Sequence, residues 1–147
     1  EARDGMAVAA FYAGVAFGKT SVGYVHGIAH QLGRVCGTPH GNANAMVLPE
    51  VLSAYGECVY PRLADLARLV DLGEAGATDR ELEGAFIDAI IAMRSELELP
   101  LQPKDLNAHE VPGIIDEALK EAGGLYPVPR YMSAEEVRQI VNRLLAA

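Results

Sequence analysis

The sequence predicts an all-α protein of about seven helices. Apolar residues recur at helical spacing along most of the chain, and glycine and proline stops separate these periodic stretches. No alternating β-branched run is long enough for a convincing strand, and no internal repeat is visible. Half of the 147 residues are hydrophobic and 22% are charged, which is typical of an ordered globular chain. We therefore assign residues 1–147 to a single helical domain.

Three helices are predicted in the first part of the chain. The first lacks an obvious N-cap residue, so the chain is expected to begin inside a helix. Ser21 is expected to cap the second helix, and Gly37-Thr38-Pro39 to end it. Pro49 is expected to kink the third helix. The predicted ranges are 3–18, 21–35 and, beginning at 40 or 41, a third that ends at about 54.

Four further helices are predicted in the rest of the chain. Thr78 is expected to cap one of them, and Ser133 with Glu136 forms the capping-box pattern of the last. The pair Gly123-Gly124 is expected to end the helix before it. The stretch 99–109 has little periodicity and is predicted to be a connection. The predicted ranges are 60–72, 78–93, 112–122 and 134–145.

Composition and charge exclude several classes of function. The net charge is −8 and the 12 basic residues are scattered, which argues against a nucleic-acid partner. No apolar run approaches the roughly 20 residues of a membrane span, and the first residues lack the pattern of a signal peptide. We expect no membrane partner and a cytoplasmic location. Cys36 and Cys58 are too few for a disulfide framework, and we assign neither a chemical role.

Three of the four histidines lie close together in the sequence, and they form the most informative motif. His26 and His30 are four residues apart and therefore face the same side of a helix. His40 follows a tight turn that can fold it back toward that side. Imidazole pairs at this spacing are competent ligands for a divalent transition metal. The spacing alone does not decide which two or three of these side chains bind.

The histidine pair is surrounded by glycines. Gly23, Gly27 and Gly33 all fall in or beside the predicted helix, where each glycine costs about 1 kcal/mol relative to alanine. Such a cost is offset where a metal, a cofactor ring or another helix must come close to the backbone. The plainer alternative is a set of core histidines bonded to backbone carbonyls, or a glycine-lined contact between helices.

Three common sites are missing from the sequence. The residues after His26 lack the glutamate of the HExxH pattern, which excludes that kind of metalloprotease. The chain also contains no Cys-x-x-Cys pair and no GxGxxG motif after a strand. Neither a zinc ribbon nor a Rossmann dinucleotide site is therefore expected within it.

The segment from Val25 to Leu52, VHGIAHQLGRVCGTPHGNANAMVLPEVL, closely resembles the second signature of iron-containing (group III) alcohol dehydrogenases. That signature has the form HxxxHxxGxxxxxPHGxxNAxxLPxV. The resemblance extends back to Glu1-Ala2 and forward to Pro129-Arg130, so it covers essentially the whole chain. One departure is Glu50, which stands where many members of the family have histidine. The implied fold is the C-terminal helical domain of the dehydroquinate synthase-like, iron-containing alcohol dehydrogenase fold.

The resemblance implies a role for each clustered histidine. His26 and His40 would be metal ligands, and His30 would be a catalytic residue near the nicotinamide and the substrate. The family's other two ligands, an Asp and a His, would lie upstream together with the nucleotide-binding α/β domain, which is absent from this chain. No residue of the chain is assigned to cofactor binding. Asn42 and Asn44 are candidates to line the site or to act as local caps.

The implied activity belongs to the complete protein. It would oxidise a small alcohol, or reduce an aldehyde or ketone, by hydride transfer with NAD or NADP, using Fe(2+), with Zn(2+) as the second candidate. It would also form a homo-oligomer, as many relatives do. This chain alone is expected to be inactive. The alternatives are a glycerol-dehydrogenase-like or dehydroquinate-synthase-like enzyme domain, and a non-catalytic helical binding module.

Overall fold

The computed structural model describes residues 1–146, and over that range it contains seven α-helices and no strand. The all-α prediction is therefore confirmed. Two single-turn 3-10 helices, at residues 56–58 and 108–110, lie in the connections. The α-helices are α1 Ala2–Thr20, α2 Tyr24–Cys36, α3 His40–Tyr55, α4 Tyr60–Leu69, α5 Asp79–Glu96, α6 Val111–Leu125 and α7 Ala134–Ala146.

Two of the predicted helix caps are confirmed by their hydrogen bonds. The Thr78 hydroxyl accepts from the backbone N–H of Glu81, and the Glu81 carboxylate accepts from the backbone N–H of Thr78 at 2.8 Å. The same reciprocal pair joins Ser133 and Glu136 at the start of α7. Both are capping boxes, in which two unpaired helix donors are satisfied at once.

Two predicted boundaries are wrong, for different reasons. Ser21 does not cap α2, because it adopts φ 63 at the end of α1, and Gly23 occupies the N-cap position of α2. Gly123-Gly124 does not end α6, which continues to Leu125. Glycine only weakens a helix, whereas a proline disfavours helical conformation at the residue before it. The last helical residue is accordingly Leu125, and Tyr126, which precedes Pro127, is extended.

Most of the apolar interior is one cluster of side chains from α2, α3, α6 and α7. Helix α2 packs on α3 and α6, and α7 packs on the same two helices. Each large aliphatic side chain buried here stabilises the fold by about 1.5–3 kcal/mol. Helices α4 and α5 pack as a hairpin over a smaller cluster, and Phe86 contacts both clusters. Fully buried members of the main cluster are Tyr24, Ile28, Leu32, Met46, Ile114, Ile115 and Ile140.

The loop before α7 fastens that helix to the core. The Arg130 guanidinium donates to the carbonyls of Ala54 and Tyr55 at the end of α3 and pairs with Glu136 at 2.7 Å. A cation at a helix C-terminus is favoured by the unpaired carbonyls there. The Tyr24 hydroxyl accepts from the backbone N–H of Met132 at 3.0 Å. The loop thus joins α2, α3 and α7.

Helix α1 is the exception to this packing. None of its residues is buried within the part of the chain that the structure describes. Its large apolar side chains are exposed, among them Met6 at 69% and Phe11 at 67%. Across residues 1–146, no helix combines the length and the apolar character needed to cross a membrane.

Candidate metal and catalytic site

Helix α2 carries the first two histidines of the cluster. His26 and His30 lie one turn apart on the same face, and their ring centres are 5.7 Å apart. His26 is half-buried, and His30 is exposed. The predicted common face of the two side chains is therefore confirmed.

A three-residue turn, residues 37–39, brings the third histidine to the same place. Gly37 has φ 64 and ends α2, with its N–H donating to the carbonyl of Gly33 at 3.1 Å. That left-handed conformation favours glycine. Pro39 then occupies the N-cap position of α3, and His40 is the first residue of that helix. The ring centre of His40 lies 5.3 Å from that of His26 and 5.4 Å from that of His30.

The three rings are spaced as ligands of one ion would be. Imidazole nitrogens bind zinc at about 2.1 Å, so rings that share a tetrahedral ion have centres about 5 Å apart. Among residues 1–146, however, no group of three or more His, Cys, Asp or Glu side chains is arranged to hold a metal ion. The ring centres show that the imidazoles are close together, and two of them could contribute to a metal site only together with ligands from elsewhere.

Asn44 holds His40 in place. Its side-chain nitrogen lies 3.1 Å from Nε2 of His40 and donates to the His40 carbonyl at 2.9 Å. Its Oδ1 is buried and has no hydrogen-bond partner within the described residues. An unpaired buried amide oxygen is unfavourable. Asn44 is thus a lining residue of the cluster and lies inside α3, where it does not act as a helix cap.

His30 is bound on its other side by residues that the sequence analysis did not identify as functional. Its Nδ1 lies 2.6 Å from Oε1 of Glu121, on α6. The Tyr126 hydroxyl donates to the same oxygen at 2.6 Å, and the side-chain amide of Gln31 donates to Oε2 at 3.4 Å. Glu121 is 91 positions from His30, so no local pattern could have identified this pairing.

Gly27 explains how α6 reaches the cluster. A Cβ at Gly27 would lie 3.3 Å from the carbonyl oxygen of Ala118 and 3.5 Å from the Cβ of Ala122. The glycine therefore permits close contact between α2 and α6. Of the three groups expected to approach the glycines, a metal, a cofactor ring or another helix, the one at Gly27 is another helix. Gly23 lies outside the helix interior, at the N-cap. The Gly27 contact places the next turn of α6, with Glu121, beside the next turn of α2, with His30.

Electrostatics at the cluster favour neutral imidazole at His26. Burial lowers the pKa of His26, and the nearby rings of His40 and His30 lower it further, while Glu121 acts in the opposite direction. Neutral imidazole is the form that binds metals. The Glu121 carboxylate raises the pKa of Tyr126 to about 12, chiefly through their hydrogen bond. Tyr126 therefore remains a proton donor at physiological pH.

Glu50 lies away from the histidine cluster. Its carboxylate pairs with Arg143 and so joins α3 to α7. At this position, where many members of the family have histidine, Glu50 therefore forms part of the contact between α3 and α7. The loop 126–130 docks the final helix through Arg130.

The chain matches known proteins along nearly its whole length. Residues 1–145 match the model described as "Fe-containing alcohol dehydrogenase family, C-terminal". The chain is 34% identical over 146 residues to the 1,3-propanediol dehydrogenase of Citrobacter freundii, covering 97% of this chain and 37% of that protein. It is 29% identical over 146 residues to the lactaldehyde reductase of Escherichia coli K12, with the same two coverages of 97% and 37%.

Solved structures agree with these matches. The alcohol dehydrogenase from Oenococcus oeni superposes with a TM-score of 0.79 at 29% identity, over 90% of this chain and 35% of that one. A 1,3-propanediol oxidoreductase superposes with a TM-score of 0.76 at 29% identity, over 84% of this chain and 32% of that one. The chain thus spans about a third of the length of these four proteins.

Proposed function

Because the chain belongs to the Fe-containing alcohol dehydrogenase family, matching its C-terminal part, we propose that the complete protein is a metal-dependent alcohol dehydrogenase. It transfers hydride between a small alcohol and NAD or NADP, or in reverse to an aldehyde or ketone. The names of its relatives, 1,3-propanediol dehydrogenase and lactaldehyde reductase, favour short-chain substrates with two oxygen functions.

One observation carries this proposal. His26, His30 and His40, from two helices, gather with ring centres no more than 5.7 Å apart. We assign His26 and His40 as metal ligands and His30 as the catalytic residue. That division follows the family signature that residues 25–52 resemble, and the contact of His30 Nδ1 with Glu121 leaves Nε2 of His30 available for proton transfer.

The proposed metal is iron(II), because the family is described as Fe-containing, and zinc is the second choice, since imidazole suits both metals. When bound, the divalent ion would supply Lewis-acid polarisation of the substrate oxygen, and the nicotinamide would supply the hydride acceptor. His26 and His40 would hold the ion from this chain. Asn44 would keep the His40 ring in one orientation through the contact at 3.1 Å.

His30 performs the proton chemistry in this proposal. Oxidation of an alcohol removes one hydride and one proton, and the proton needs an acceptor within hydrogen-bond reach of the reacting oxygen. The His30 side chain is 40% exposed on this face of the chain. An imidazole that is open on one side and hydrogen-bonded on the other is suited to hold or pass a proton.

We further propose that a nucleotide-binding α/β domain, with the remaining metal ligands, completes the site in the full-length protein. Helix α1 supports this. Its exposed apolar residues are distributed around the helix, which is typical of a helix covered on several sides. Phe17 of α1 has its ring centre 6.5 Å from that of His26, so the C-terminal end of α1 lies next to the cluster. A cytoplasmic homo-oligomer is the expected form.

The test uses the full-length protein that contains this chain. Formation of NADH and NADPH is measured with 1,3-propanediol and with butanol, and oxidation of NADH and NADPH is measured with lactaldehyde. Metal content is measured by mass spectrometry. His26→Ala and His40→Ala are expected to lose the metal and the activity together. His30→Gln is expected to keep the metal and to lower kcat by about 10²- to 10⁴-fold, the usual contribution of general acid–base catalysis.

His109→Ala is the matched control. His109 is the fourth histidine of the chain and lies in the short helix 108–110, outside the cluster. The His109→Ala variant should retain both metal and activity. Retention of stoichiometric metal by His26→Ala or His40→Ala would contradict the ligand assignment.

The isolated 147-residue chain should bind iron(II) or zinc weakly, because two imidazoles are about half of a structural ligand set. Calorimetric titration with each ion tests this. Tight stoichiometric binding by the chain, with no dehydrogenase activity in the full-length protein, would instead favour the non-catalytic binding module.

A further inference from the structure

Glu121 forms the centre of a side-chain network behind His30. Its two carboxylate oxygens contact three side chains: Oε1 receives the Tyr126 hydroxyl and His30 Nδ1, each at 2.6 Å, and Oε2 receives the Gln31 amide at 3.4 Å. The Glu121 side chain is 20% exposed. Ordinary surface glutamates on this helix are different, since Glu117 is 49% exposed and pairs with Lys120 of the same helix.

The network fixes which nitrogen of His30 carries the proton. An ionised carboxylate only accepts hydrogen bonds, so a neutral His30 must donate through Nδ1. Its other nitrogen, Nε2, then keeps its lone pair and points to the opposite side of the ring, away from α6. The same logic, a carboxylate bound to one imidazole nitrogen so that the other acts as a base, recurs in hydrolytic triads.

The carboxylate is itself held in position. Tyr126 lies in the extended segment just before Pro127, and its hydroxyl donates to the oxygen that His30 contacts. Gln31 is buried and is adjacent to His30 on α2, and its oxygen accepts from Arg34 at 3.0 Å. The close contact of α2 with α6 at Gly27 sets the distance between the two helices. Each group in the network therefore has its orientation defined by another.

We propose that Glu121 is a positioning residue for the dehydrogenase reaction, which holds His30 with the proton on Nδ1 and Nε2 free toward the reactants, and that Tyr126 anchors Glu121. This inference rests on the proposed function, since it assigns His30 a proton to accept or donate. It adds α6 and the loop after it to a site that the sequence motif confines to α2 and α3.

The test compares Glu121→Gln, Tyr126→Phe and the control Glu117→Gln in the full-length enzyme. Glu121→Gln retains the shape of the side chain and removes its charge. It should lower kcat by about 10- to 100-fold, as loss of a carboxylate behind a functional histidine commonly does, with metal content and KM little changed. Tyr126→Phe should lower kcat by less than about 10-fold, and Glu117→Gln should match the wild type.

A second measurement does not depend on turnover. An imidazole N–H bonded to a carboxylate gives a downfield proton resonance, which His30→Gln identifies by its disappearance. Glu121→Gln should shift this resonance upfield, because hydrogen bonds to neutral acceptors are weaker, and Glu117→Gln should leave it in place.

The two proposals fail separately. If the wild-type enzyme oxidises no alcohol, the proposed function is wrong, and the proton resonance still decides whether Glu121 holds His30. If the wild type is active and His30→Gln is impaired, but Glu121→Gln retains both kcat and the resonance, the positioning role of Glu121 is overturned.

Discussion

The first and last helices of the chain differ in how much of their surface is buried. Helix α1 has 19 residues, and none is buried within the described structure. Helix α7 has 13 residues and buries Val137, Ile140, Val141 and Leu144 against α3 and α6. At its start α7 has a capping box, whereas Glu1 makes no side-chain capping bond at the start of α1.

The difference teaches that helix formation and helix burial are separate requirements. Backbone hydrogen bonds and good helix formers suffice to form α1, but its apolar side chains stabilise the fold only where something covers them. In α7 the apolar residues form one stripe that the chain itself covers. In α1 they lie around the helix, so the surfaces that would cover it belong to other parts of the complete protein in our proposal.

The largest expected effect comes from deleting a core side chain of α7. Ile140→Ala should lower the free energy of unfolding of this chain by about 2–5 kcal/mol, because Ile140 is fully buried. Phe11→Ala in α1 should change it by no more than about 0.5 kcal/mol. Urea unfolding measures both. Equal losses in the two variants would mean that α1 is packed as α7 is. A large effect of Phe11→Ala that appears only in the full-length protein would instead mean that other parts of that protein cover α1.

The next effect concerns Arg130, which fastens α7 through two carbonyls of α3 and through Glu136. Arg130→Met should cost about 2 kcal/mol, since hydrogen bonds from a charged donor are lost while the aliphatic contact remains. Arg3→Met on exposed α1 is the control and should have no measurable effect on the urea midpoint. A stable Arg130→Met protein would mean that α7 is held by its apolar stripe alone.

Helix capping should have a smaller effect, and only at α7. Ser133→Ala removes the hydroxyl that accepts from the backbone N–H of Glu136 at 3.2 Å, at a cost of about 1 kcal/mol. Glu1→Ser adds a capping residue to α1. It should raise helix content by circular dichroism without moving the unfolding midpoint, because α1 does not pack on the core. A shift of the midpoint by Glu1→Ser would contradict this.

The smallest expected effect is a dependence on acid. Hydrogen bonds from Arg130 and from Ser133 lower the pKa of Glu136 from 4.5 to about 2. A carboxylate with a lowered pKa stabilises the fold above its unfolded value, and this contribution is lost as pH falls from about 5 toward 2. Since both partners are about a third exposed, the loss should be under about 1 kcal/mol. The stability difference between wild type and Glu136→Gln should shrink over that range, as measured by urea unfolding at each pH.

Helix boundaries were predicted correctly where residues close together in the sequence determine them. The predicted cap at Thr78 and the predicted capping box at Ser133 are confirmed because all the atoms involved lie within four residues. Gly123-Gly124 misled the prediction because α6 is held by packing on α2, where Ala118 and Ala122 contact Gly27. Ser21 misled it because a cap depends on backbone conformation, and here φ is 63.

The histidine motif shows the same division at the candidate site. The sequence by itself determined that His26 and His30 share a face and that a glycine-proline turn returns His40 to them, because helix periodicity and turn chemistry act over a few residues. Only the tertiary structure placed Glu121 beside His30, across 91 positions. Such a contact depends on how closely two helices pack, and no local sequence pattern around either residue predicts it.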